Sequence, residues 1–210
     1  EQGNLEAAAQ HLHSSNVLGK KASLPILHYR WCVDQARFKI AQGDLEGALA
    51  PLDEAQRLYI RSPLPDFCPI SAMKARIWVM QGRLTEALGW VHERGLSVED
   101  GLSYMREFEY ITLARILIAQ YQNDRMDGSI HAVLRLLDRL LQAAEEGGRM
   151  GSVIEILVLH ALAHQVQGNI TSALGPLERA LTLAEPEGYI RIFVYEGKPV
   201  VDLLTKIETK

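Results

Sequence analysis

The chain has 210 residues, of which 48% are hydrophobic and 23% charged, with a formal net charge of −4. This is the balance of a folded globular chain, and it lacks the basic excess that a nucleic-acid surface needs. Apolar runs are broken by charge or histidine within a dozen residues, so no membrane span is expected, and no basic-then-apolar leader opens the chain. Cytoplasmic residence is therefore the expectation. The two cysteines, Cys32 and Cys68, form no CxxC pair and read as free thiols packed among helices.

Taken in chain order, the elements repeat. "QGNLEAAAQHL" begins at Gln2, "QGDLEGALAPLDEA" at Gln42, "QGRLTEALGWV" at Gln81 and "QGNITSALGPLERA" at Gln167, with a weaker copy, "DGSIHAVLRLLDRL", at Asp127. The glycines, Gly3, Gly43, Gly82, Gly128 and Gly168, are separated by 40, 39, 46 and 40 residues. Counting from each glycine, apolar or small residues recur at +2, +5, +6 and +9, one stripe along a helix. The glycine stops the preceding helix, and Asn4, Asp44 or Asn169 after it is a favoured N-cap. Ala48, Ala87 and Ala173 allow close helix approach. Helix-like stretches lie upstream, at 28–42, 70–81, 104–122 and 152–167.

The unit is thus helix, turn, helix, and it must stack on neighbours to bury its face. The predicted fold is all-α: a right-handed superhelix of stacked antiparallel helix pairs. The first element, 1–21, reads as the second half of a repeat, followed by units at about 24–60, 67–96, 104–147 and 149–185. The opening at Glu1 with half a unit suggests a fragment of a longer protein. Pro51 and Pro176 recur eight residues after their glycines and read as kinks tolerated on the convex side. "SPLPDFCP" reads as a connection between units. The closing stretch "AEPEGYIRIFVYEG" is unlike the repeats, and 189–210 reads as a terminal cap. In it Ile190, Phe193 and Val194 pack back and "KPVVDLLTKIE" forms a short final helix.

The glycine, small residue and alanine spacing resembles the tetratricopeptide repeat, although the period is near 40 rather than 34. Residues 135–204 are more particular. Gly147-Gly148, Glu155-Ile156-Leu157, Ala161-Leu162-Ala163, Gln167-Gly168 and "AEPEGYIRIFVYEG" resemble the helical-repeat domain of MalT-like, LuxR-type ATP-dependent bacterial transcriptional regulators. That resemblance implies a signal-input domain that binds a small-molecule effector or a regulatory protein and can self-associate. It also implies an ATP module upstream and a DNA-binding helix-turn-helix downstream. No GxxxxGK[ST] occurs here, so no cofactor and no direct nucleic-acid contact are assigned to this chain. An interaction scaffold without a small-molecule ligand is the alternative.

No enzyme is expected. Glu107 with Glu109, and Glu145 with Glu146, have no nucleophile or base at a meaningful spacing and read as solvated helix faces. His160 and His164 are i, i+4, but the residues between them are Ala-Leu-Ala, so no metal site is expected. The sharpest signal is an arginine ladder. "QARFKIAQG", "KARIWVMQG" and "LARILIAQY" place Arg37, Arg76 and Arg115 at intervals of 39, each after an alanine on the first helix of its unit. Arg30 lies two turns before Arg37, and Glu155 takes the same register in the fourth unit. These five are the candidate effector- or partner-binding residues, through forked hydrogen bonds to anionic or polyhydroxy groups. A structural ladder pairing with neighbouring units is the competing reading. Tyr29, Trp31, Trp78, Tyr104 and Tyr110 are candidates for stacking or for helix packing.

Overall fold

The computed structural model describes residues 4–22, 25–58, 66–124 and 129–207. Gly3, Gly128 and most of the proline-rich connection lie outside them. The chain is an all-α, tetratricopeptide-like solenoid. In chain order the helices are α1 (Leu5–Ala22), α2 (Pro25–Ala41), α3 (Leu45–Arg57), α4 (Ile70–Met80) and α5 (Leu84–Arg94). After a short 3₁₀ turn (Tyr104–Arg106) come α6 (Glu107–Asp124), α7 (Ser129–Glu146), α8 (Met150–Val166) and α9 (Ile170–Ala184). Two further helices, α10 (Arg191–Val194) and α11 (Lys198–Ile207), close the chain. Among the described residues no helix is long and apolar enough to cross a membrane.

The turns explain the repeat. Gly43 and Gly168 have φ of 81° and 80°, a backbone that a Cβ strongly disfavours. The residue after each glycine folds its N–H back onto the helix just finished: Asp44 to the Lys39 carbonyl at 2.9 Å, and Asn169 to that of His164 at 2.9 Å. The same backward bond closes α4 (Arg83 to Trp78, 2.8 Å) and α7 (Arg149 to Ala144, 2.9 Å). It satisfies carbonyls that a helix end leaves orphaned. Asn4, Asp44 and Asn169 then cap the next helix, accepting from the N–H of Ala7, Gly47 and Ser172 at 3.0, 2.9 and 3.3 Å.

Ala48, Ala87 and Ala173 are fully buried, as close helix approach requires. A smaller apolar cluster joins α2, α3 and α4 through Cys32, Leu52, Ile70 and Ile77. A larger one runs from α4 to α11, and Phe108 packs against both. In α8 every residue from Ile156 to Ala163 is buried, so this stretch of the helix, apolar but for His160, is packed within the core.

Three sequence expectations change. Pro51 lies within α3 on its buried stripe, with Ala48, Leu52 and Ala55, so it is packed rather than solvated. In the cap, Ile190 and Val194 are exposed, while Tyr189, Ile192 and Phe193 pack on the core. The segment makes one helical turn, and a helix gathers i, i+3 and i+4 on one face. Glu107 and Glu109 are buried rather than solvated. Arg149 and Ser152 donate to Glu107 at 2.8 and 2.6 Å, and Arg94 and Arg106 to Glu109 at 2.8 and 2.7 Å. Both glutamates pin the start of α6 to neighbouring elements, through Arg149, Ser152 and Arg94, partners that sequence spacing does not reveal; only Arg106 is near Glu109 in sequence.

Candidate functional site

The first helices of the four complete pairs, α2, α4, α6 and α8, face inward, and α1 joins them. An open cavity of about 1170 Å³ is lined by α1, α2, α4, α6, α8 and the segment 187–196, with no contribution from α3, α5, α7 or α9. This asymmetry follows from the ladder motif. Ala36, Ala75 and Ala114 are fully buried where helices touch, so the arginine following each emerges one step around, toward the inner wall. Arg37, Arg76, Arg115 and Glu155 all line the cavity. Arg30 is exposed and does not line it.

At the centre, α4, α6, α8 and the cap meet in one ion network. Arg76 Nη1 and Arg115 Nη2 donate to the same oxygen of Glu155, Oε1, at 2.7 and 2.9 Å. Arg115 Nη1 donates to Glu196, from the closing segment. Arg76 Nε donates to Thr112 Oγ1 at 2.8 Å, and its guanidinium lies 3.7 Å from the centre of the Phe108 ring. These four charged side chains are 10–18% exposed. Arg76 Nη2 and Arg115 Nε are buried and have no hydrogen-bond partner.

The electrostatics follow from this arrangement. Burial alone would raise the Glu155 pKa, but Arg76 and Arg115 more than reverse it and hold the carboxylate ionised. The two arginines move in opposite directions. Burial lowers the Arg76 pKa against the pull of one carboxylate, Glu155. It would also lower that of Arg115, but Glu196 and then Glu155 outweigh it, and the value is raised. Both remain cations, because a guanidinium does not lose its proton in a protein. Arg37 is the looser member of the ladder. It stands 3.8 Å from Asp34 and 4.0 Å from the Cys68 sulfur. Burial raises the Cys68 thiol pKa, and the nearby arginines only partly offset this.

Around the charges the wall is apolar, with Phe38, Ile40, Met73, Ile77, Phe108 and Ile192. The aromatic candidates read from sequence do not line the cavity. Tyr110 is buried, with its hydroxyl 3.3 Å from Asp100, and Tyr104 sits beside Phe67 with ring centres 4.9 Å apart. Phe38, Phe108, Tyr189 and Tyr195 line it instead. Phe38 could have been found, since it directly follows a ladder arginine. Glu196 carried no repeat signal. His160 and His164 stack with ring centres 6.5 Å apart, and burial lowers the His160 pKa. Among the described residues no group of three or more His, Cys, Asp or Glu is placed to hold a metal ion.

The fold and this inner wall define a helical-repeat domain of the tetratricopeptide type, a class of interaction and sensing modules. The chain belongs to the family described as the MalT-like TPR region, whose model matches residues 1–210. No curated protein matches the chain at a significant level.

Proposed function

We propose that this chain is the signal-input domain of a LuxR-type, MalT-like transcriptional regulator, and that its inner cavity receives the effector. One observation carries the reading. Four stacked units, α1 and the cap line one open, largely apolar-walled cavity, with the ladder arginines Arg37, Arg76 and Arg115 on its wall. Few polar groups in a largely apolar concavity is the general form of a small-molecule site. A net charge of −4 leaves DNA contact to another part of the regulator, and the lack of a GxxxxGK[ST] motif in these residues leaves ATP to another part too. The chain acts without catalysis. The effector switches the regulator only if it favours one state of the domain over another.

A thermal-shift screen with sugars, aromatic acids and acyl compounds tests this. A ligand at a hundred times its Kd adds about 2.7 kcal/mol, or roughly 5–10 °C for a domain of this size. The shift should vanish in Arg76→Ala or Arg115→Ala, each checked for folding by circular dichroism. It should persist in Arg135→Ala, which pairs with Glu99 at the exposed surface. Silence across all three classes refutes the effector reading. The scaffold reading then gains, supported by the exposed Phe67, Tyr104 and Met105.

A further inference from the structure

The effector reading above leaves the ligand's chemistry open, and the central network constrains it. Two guanidiniums, Arg76 and Arg115, face two carboxylates, Glu155 and Glu196, so the cluster is neutral. The two carboxylates differ in origin. Glu155 belongs to α8, most of which is buried in the core, and bridges both arginines. Glu196 belongs to the closing segment, which reaches into the cavity from one end. That segment is tied to the inner wall at points far apart in sequence: Glu196 meets Arg115, and Arg191 Nη1 donates to the Ala41 carbonyl at 2.9 Å. Gly188 and Gly197, with φ of 68° and 61°, bound the segment on either side.

We infer that Glu196 is an internal stand-in for the ligand, and that the cavity takes an organic monocarboxylate with an apolar or aromatic body, whose carboxylate replaces that of Glu196 on Arg115. This rests on the effector reading and goes a step further. Charge decides the class. Removing Glu196 leaves one uncompensated positive charge in a site where charge is costly to strand. A neutral ligand in the place of Glu196 leaves that charge, and a dianion overshoots it. A monocarboxylate restores neutrality, and it matches the fork geometry that guanidinium offers. Exchange is favoured over addition, because a carboxylate bound beside Glu196 makes the cluster anionic. The Arg115 Nη1 that Glu196 now occupies supplies the donor for the incoming carboxylate. Phe38, Met73, Ile77 and Phe108 supply the apolar wall for the body. Exchange frees Glu196 and so loosens the cap from α6, which makes the closing segment the part of the domain that reports occupancy.

The test is calorimetric titration of the whole chain with phenylacetate and with phenylacetamide, which share a body and differ in charge. The wild type should bind phenylacetate about tenfold or more tightly than the amide, the scale of one charged hydrogen bond. Glu196→Gln removes the internal competitor's charge. It should tighten phenylacetate by about tenfold or more and leave the amide unchanged. Circular dichroism checks that this variant is folded. If it is not, Glu196→Asp, which keeps the charge but shortens its reach, should also tighten phenylacetate. Equal binding of acid and amide overturns the inference. So does an unchanged phenylacetate affinity in a folded Glu196 variant, or no binding of phenylacetate to either form. A neutral sugar bound alike by wild type and Glu196→Gln would end this inference and leave the cavity reading standing. The cavity reading fails separately, if no sugar, aromatic acid or acyl compound shifts the Tm.

Discussion

Replacing Glu155 with alanine strikes the point where α4, α6 and α8 are joined by charge. Its carboxylate accepts from Arg76 at 2.7 Å and from Arg115 at 2.9 Å, and is 18% exposed. Removing one partner from a buried ion cluster costs about 3–5 kcal/mol, because the remaining charge keeps its desolvation penalty. Arg115 retains Glu196, so only Arg76 is stranded, and the lower end, about 3 kcal/mol, applies. For a chain of this length that is roughly 6–12 °C in Tm. Urea unfolding followed by circular dichroism should show a lower midpoint. The sign of the pH dependence is fixed by the lowered folded-state pKa of Glu155. Its contribution is complete above the unfolded glutamate value of about 4.3, and is lost as pH falls through the still lower folded value. The gap between wild type and Glu155→Ala should therefore be widest at neutral pH and close in acid. A loss below about 1 kcal/mol at neutral pH, or a gap that widens in acid, would refute the buried-network account.

The remaining predictions concern the scaffold. Glu109→Ala should cost about 1–2 kcal/mol, since it removes two charged hydrogen bonds but leaves Arg94 and Arg106 exposed enough to be solvated; differential scanning calorimetry reads the loss. Gly168→Ala should cost about 1–2 kcal/mol through backbone strain alone, because a Cβ there meets no atom within 4 Å; chemical denaturation checks it. Asn169→Ala removes the cap of α9 and should cost about 1 kcal/mol, measured in the same way. Leu159→Ala opens space in the fully packed α8 and should cost about 2–5 kcal/mol in urea unfolding.

How far the sequence was readable depends on the range of the interaction. The repeat was legible because its determinants are local: a glycine with positive φ, an Asx cap and a stripe at helical spacing all fall within a dozen residues. The inner wall was legible in part for the same reason. An alanine that must be buried fixes the direction of the arginine beside it, so Arg37, Arg76 and Arg115 could be read as one row. What paired with them could not be read. Glu196 lies 81 residues from Arg115, and no repeat spacing relates them. Glu107 and Glu109 looked like a solvated pair; Arg106, three residues before Glu109, was the one local partner, and Arg149 and Arg94 arrive from other elements. The cap misled through its alternating large residues. A single helical turn sorts them differently, bringing Tyr189, Ile192 and Phe193 to the core and Glu196 to the cavity.

The most direct measurement is a crystal structure of the chain grown with a compound that raises its Tm. The account predicts ligand density on the inner wall, among Arg37, Arg76, Arg115 and Phe108, with α3, α5, α7 and α9 untouched. Density on the outer helices, or at the exposed Phe67 and Tyr104 edge with the inner wall unoccupied, would contradict it.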